Sequence, residues 1–121
     1  MNTYSYKRQI EVCIYDCDAY HVVHHPRYLQ WFEESLYELI FKENQLYDES
    51  SYRIKIEEVT CRHINAILWG EKINLYTDTW KAEDEEDVLY FRQTIKTDKI
   101  KCICQGKLRI ICIKQVRQVS E

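Results

Sequence analysis

The stretch YDCDAYHVVHHPRYLQWFEE, residues 15–34, sets two carboxylates and three histidines within the ten positions from Asp16 to His25. Side chains of these types do proton and bond-forming chemistry. A carboxylate serves as general base or nucleophile, and an imidazole carries a proton near neutral pH. Asp16, Asp18, His21, His24 and His25 also have the donor types of a metal cradle. That reading lacks its usual frame, because no HExxH or helical HxxH pattern is present and Pro26 opens the helix only after His25. No metal and no cofactor are therefore expected. Asp16 is expected to bond backbone N–H groups of its own turn, and His21 and His24 to lie at a rim or on the surface. Asp18 and His25 remain for chemistry, although an aspartate in a strand-to-helix loop also serves as a plain cap.

The elements around this loop must position it. KRQIEVCIY (7–15) alternates, with Ile10, Val12 and Ile14 on one face and Glu11 and Cys13 on the other, the pattern of a half-buried strand. Pro26 suits a first helical turn, where a missing N–H costs nothing. Leu29, Phe32, Leu36, Leu39 and Ile40 then recur at helical spacing opposite Gln30, Glu34 and Glu38, predicting a helix from about Pro26 to about Glu43. Strand-like segments follow at 52–64, 71–81, 88–96 and 102–114, set apart by Gly70, the charged turn EDEED (83–87) and KTDK (96–99). In the first of these the alternation changes phase near Glu57 and Glu58, which predicts a bulge. Short links favour hairpins and a largely antiparallel sheet. The terminal VRQVSE should fray.

One strand, one long helix and four strands make an α+β layout in which the helical stripe has only the sheet to bury against. The expected shape is the hotdog fold, a five-stranded antiparallel sheet wrapped around one long central helix, as a single domain over residues 1–121. Open sheet edges invite a second copy, so a homodimer or homotetramer is expected.

A chain of 121 residues supports one core, and 31% charged residues with two glycines and one proline is the composition of a folded soluble protein. A net charge of −3 offers no basic field for nucleic acid. No apolar run reaches the roughly 18 residues of a membrane span, and MNTYSYKRQIEV has no apolar core of a secretion signal. A cytoplasmic protein with no membrane and no nucleic-acid partner is expected. Six cysteines without a CxxC pair read as buried free thiols in a reducing compartment. Cys102 and Cys104 share a strand face but lack the second pair of a structural zinc site.

The loop and helix resemble hotdog thioesterases of the 4-hydroxybenzoyl-CoA and Tol-Pal-associated acyl-CoA kind, whose first loop reads D-x-D-x-x-G-x-V-x-[N/H/Y]-x-x-Y-x-x-W/F-x-E. Asp16, Asp18, Val23, His25, Tyr28, Trp31 or Phe32, and Glu33 stand here in that register, and VTCRHINAILWGEKINL (59–75) is similar to the family's next strand pair. The resemblance implies an acyl-CoA thioesterase that converts acyl-CoA and water to free acid and CoA, with its site between two subunits. Asp18 would be the catalytic base or nucleophile, His25 its helper, and Tyr28, Val23 and Phe32 the substrate-binding wall. Thioester hydrolysis needs a base or nucleophile near the carbonyl carbon and donors near its oxygen. A helix N-terminus beside Asp18 supplies such donors. Arg53, Lys55, Arg62, Lys81 and Lys107 are candidates for the CoA phosphates.

Two positions depart from the pattern: His21 stands at a usual glycine, and Ile14 where Tol-Pal-type relatives carry a tyrosine. A second hotdog class carries its carboxylate on the helix, where Glu33 or Glu34 would serve. Residues 61–68 are also similar to thioesterases of polyketide and enediyne chains, for which an acyl carrier protein would deliver a polyketide or fatty acyl chain. A non-catalytic hotdog binding subunit would share the same fold, and so would a dehydratase using His25 with Glu33.

Overall fold

The computed structural model of the chain describes residues 3–20, 22–23, 25–98 and 102–115, with backbone alone at His25 and Cys102. Strand β1 (Thr3–Glu11) precedes helix α1 (His25–Tyr37), and strands β2 (Tyr52–His63), β3 (Lys72–Lys81), β4 (Val88–Thr97) and β5 (Cys102–Lys114) follow. All pairings are antiparallel, in the order β1-β3-β4-β5-β2. The sheet covers one helix, which is the expected hotdog arrangement.

The helix buries Tyr28, Trp31, Phe32, Ser35, Leu36, Leu39 and Ile40, the three- and four-residue spacing of a single face. Leu29, expected on that stripe, is instead 36% exposed, because Tyr28 takes the inward position. The segment runs to Glu43 as expected, but from Glu38 it widens into a π-helical turn, which brings Leu39, Ile40 and Phe41 inward in succession. Each fully buried side chain of this size contributes roughly 1.5–3 kcal/mol, so packing on the sheet decides where the helix lies. A buried polar contact fixes its register: Gln93 Nε2 on β4 donates to Phe32 O at 3.0 Å and to Thr77 Oγ1 at 3.2 Å.

Three sequence expectations are corrected. Strand β1 ends at Glu11, not near Tyr15; Val12 still pairs with the 70–71 backbone. Ile14 is half exposed because the Asp16 carboxylate closes a turn on the Cys13 amide. Second, the general expectation that short links make hairpins does not hold between β2 and β3, because β2 pairs with β5. The Ile64 and Asn65 amides donate to Ile103 O, and the Val23 amide to Ile67 O, which draws the link away from a hairpin path. That link ends in a turn whose third residue, Gly70, has φ +86°, a conformation natural to glycine. The third is Leu29. The β2 bulge is where the alternation placed it, between Ile56 and Glu58. The expected fraying of residues 116–121 lies outside the described residues.

The core has two parts. Val23, Tyr28, Trp31 and Phe32 pack with Ile67, Ile73, Ile95 and Cys104 at the end bearing the 12–23 and 64–71 loops. Leu36, Leu39, Ile40 and Phe41 pack with Leu89, Ile110 and Cys112 at the other end.

Candidate active site

After β1 the chain makes a single 3-10 turn, Ile14–Asp16. Asp16 is buried within it. Its Oδ2 accepts from the Cys13 amide at 2.9 Å, and its Oδ1 accepts from Arg27 Nε on the first turn of α1 at 2.7 Å. Arg27 in turn lies over the Trp31 ring and donates to Gln30. Both Asp16 oxygens are thus committed to holding the turn against the helix, the structural role expected of it. The hollow of about 530 Å³ bordered by Tyr15, Asp16, Pro26, Arg27 and Gln30 therefore has its acidic group already paired.

Asp18 is different. It is exposed, its amide donates to Val22 O at 2.9 Å, and its Oδ1 accepts from the amides of Tyr20 and Val22 at 2.8 and 3.3 Å. This side-chain-closed turn is sealed by the Cys17–Val23 bridge. Asp18 caps its own loop, and among the described residues Oδ2 accepts no hydrogen bond. Helix α1 starts at His25. The amides of His25, Arg27 and Tyr28 head it, and Pro26 has none to give. The side chain of His25, with His21 and His24, lies outside the described residues.

Val22, the partner of Asp18, borders a cleft of about 280 Å³ together with Val23, Tyr28, His63, Ile64, Asn65 and Ala66. Two expected substrate-binding residues, Val23 and Tyr28, thus meet at one opening beside the Asp18 turn. Burial pushes the Tyr28 phenol up to about 12, partly offset by a backbone hydrogen bond with Ile67. The hydroxyl therefore stays protonated and polar under all ordinary conditions. Phe32, the third, is fully buried with its ring against Gly106, behind the cleft rather than in its wall. Cys17 is an unsuitable nucleophile, since burial and the Asp16 and Asp18 charges raise its thiol and keep it protonated.

Glu33 is exposed, and Glu34 is bonded to Arg8 of β1 at 2.7 Å. Of the basic candidates, strand register puts Arg62 at the loop end of the sheet and Lys107 midway. Arg53, Lys55 and Lys81 lie toward the opposite end, and Lys81 sits over the Tyr47 ring.

The structure also gathers residues that the sequence kept apart. Half-buried Cys61 and exposed His63 of β2 share a sheet face with buried Cys104 of β5, because the bulge at 56–58 shifts the alternation of β2 by one position. Cys61 Sγ lies 3.1 Å from Cys104 Sγ and 3.6 Å from His63 Nε2. The three ligand-type atoms all lie within 4.8 Å of one another. Spacing along the chain gave no sign of this. Only the predicted bulge, carried through to strand pairing, would have revealed it.

Among the described residues no helix is long and apolar enough to cross a membrane. Comparison with solved structures places the fold among thioesterases. A 1,4-dihydroxy-2-naphthoyl-CoA thioesterase from Synechocystis aligns with TM-score 0.76 and 13% identity, over 95% of this chain and 85% of its own. A DHNA-CoA thioesterase from Staphylococcus aureus gives 0.74 and 20%, over 91% and 74%. A probable thioesterase from Escherichia coli gives 0.78 and 15%, over 95% and 87%. Comparison with curated protein sequences found no match. Residues 12–121 match the thioesterase-like superfamily, so nearly the whole chain, loop and helix included, belongs to that family of thioester hydrolases.

Proposed function

We propose that the protein is an acyl-CoA thioesterase, a single hotdog domain that hydrolyses acyl-CoA to free acid and CoA, with Asp18 as base or nucleophile. The observation that carries this reading is the Asp18 turn. One carboxylate oxygen is tied to the Tyr20 and Val22 amides and the other accepts no hydrogen bond among the described residues, on a loop that leads into the α1 N-terminus.

The chemistry follows from that arrangement. Asp18 either directs a water onto the carbonyl carbon or attacks it directly, forming a mixed anhydride that water then cleaves to release the acid and free the carboxylate. Negative charge then grows on the carbonyl oxygen, and the first-turn amides of α1 stabilise it. The thiolate leaves without needing a strong acid. His25, at the helix start, helps orient the water or the carboxylate. Tyr28 and Val23 hold the acyl group, with Phe32 closing the apolar wall behind them. Arg62, at the same end of the sheet, is the first choice among the basic residues for a CoA phosphate. The free thiols of the described cysteines fit a reducing, cytoplasmic setting.

The test is thiol release, followed with a chromogenic disulfide. The panel runs from acetyl- to palmitoyl-CoA and includes hydroxybenzoyl- and dihydroxynaphthoyl-CoA, the last because two of the similar folds are named for it. Turnover of at least one member is expected. Silence across the whole panel would contradict an acyl-CoA substrate and favour a carrier-bound acyl chain or a non-catalytic subunit.

A further inference from the structure

We propose that Cys61, His63 and Cys104 form a binding site for a soft divalent cation, with zinc the best match, independent of the thioester reading. Two thiols and one imidazole are the donor set that zinc prefers among the common divalent ions. The three donor atoms lie within 4.8 Å of one another, and one edge already has the length of a tetrahedral zinc face. Zinc bonds of about 2.3 Å to sulfur and about 2.05 Å to nitrogen place S and N about 3.6 Å apart and two sulfurs about 3.8 Å apart. Cys61 Sγ and His63 Nε2 are already at 3.6 Å, and the two sulfurs need to open from 3.1 Å.

The backbone favours a metal over a disulfide. Cys61 is opposite Gly106 and His63 opposite Cys104, so the two cysteines are diagonal neighbours across the ladder. Diagonal Cα atoms lie about 7–8 Å apart, beyond the usual reach of a disulfide. A cation held between two sulfurs about 3.8 Å apart asks for less approach of the strands than a disulfide of about 2.05 Å does. The His63 ring is also held in place, edge-on to Tyr28 with centroids 4.6 Å apart, the kind of support that ordered metal ligands have. Three protein ligands leave the fourth corner to water. A cation here would tie the edge strand β2 to β5 beside the cleft that His63 and Tyr28 border.

The experiment is a cobalt(II) titration of the whole protein, kept reduced with a phosphine, followed by competition with zinc. Binding of one cobalt ion per chain is expected, with thiolate-to-metal charge-transfer absorption that zinc abolishes. Cys61→Ser and His63→Ala should each weaken binding at least about 10-fold, the lower bound even for losing a ligand's support. Cys13→Ser, an exposed thiol elsewhere, should leave the spectrum unchanged. Absence of the charge-transfer band in the reduced wild type, or its persistence in both variants, would overturn the proposal. So would ready cross-linking of Cys61 to Cys104 by oxidised glutathione in a protein that binds no cobalt.

Discussion

Asp16 and Asp18 stand two positions apart, yet their surroundings give them opposite characters. Asp16 has both oxygens engaged, by the Cys13 amide and by Arg27, and only a tenth of its side chain is exposed. Asp18 is exposed, and among the described residues only its Oδ1 accepts hydrogen bonds. Asp16→Ala removes the partner of a half-buried guanidinium and of a backbone amide, so it should destabilise the fold by about 1–3 kcal/mol. A urea midpoint unchanged from wild type would refute that role. The structural role of Asp16 was legible in the sequence, since an aspartate in a tight strand-to-helix turn commonly bonds the backbone N–H groups of that turn. The Arg27 clamp was not legible, because it depends on how the 3-10 turn folds back on the helix.

Strands and helix were read closely, and the misses have local causes. The period-two pattern of β1 continued in the sequence through Ile14, but a side-chain hydrogen bond ended the strand first. The 52–64 phase change correctly marked a bulge, whose consequence was hidden: it puts Cys61 and His63 on the sheet face that carries Cys104. The helix length was right, while its buried face and π-turn depended on the sheet it meets. Gly106 shows how closely helix and sheet approach. A Cβ there would lie 2.7 Å from Phe32 Cε2, and that ring is fully buried with little room to move. Gly106→Ala should therefore cost about 1–3 kcal/mol by overpacking. Adding Phe32→Leu should recover part of the loss, because the two sites couple directly. Equal urea midpoints for wild type and Gly106→Ala would show that the contact is looser than described.

At the scale of the whole molecule, the sheet leaves β1 and β2 as open edges. Beside the β2 end, Ile64, Leu68 and Trp69 are each about half exposed, an apolar grouping of the kind that marks an interface. Assembly through this region would cover the cleft mouth with a second copy, in keeping with a site shared between subunits. Sedimentation equilibrium should therefore give at least twice the 14.8 kDa chain mass, and Trp69→Lys should shift it toward the monomer. A wild-type monomer at assay concentrations would contradict the assembly. Fold and assembly only frame the central claim, which concerns one carboxylate. Asn at position 18 keeps the oxygen that accepts from Tyr20 and Val22 but cannot act as base or nucleophile. The decisive measurement is kcat for Asp18→Asn on the best acyl-CoA of the panel, beside its melting temperature. A fall of more than about 10²-fold with melting essentially unchanged is expected, and wild-type turnover by a folded Asp18→Asn protein would contradict a catalytic role for this carboxylate.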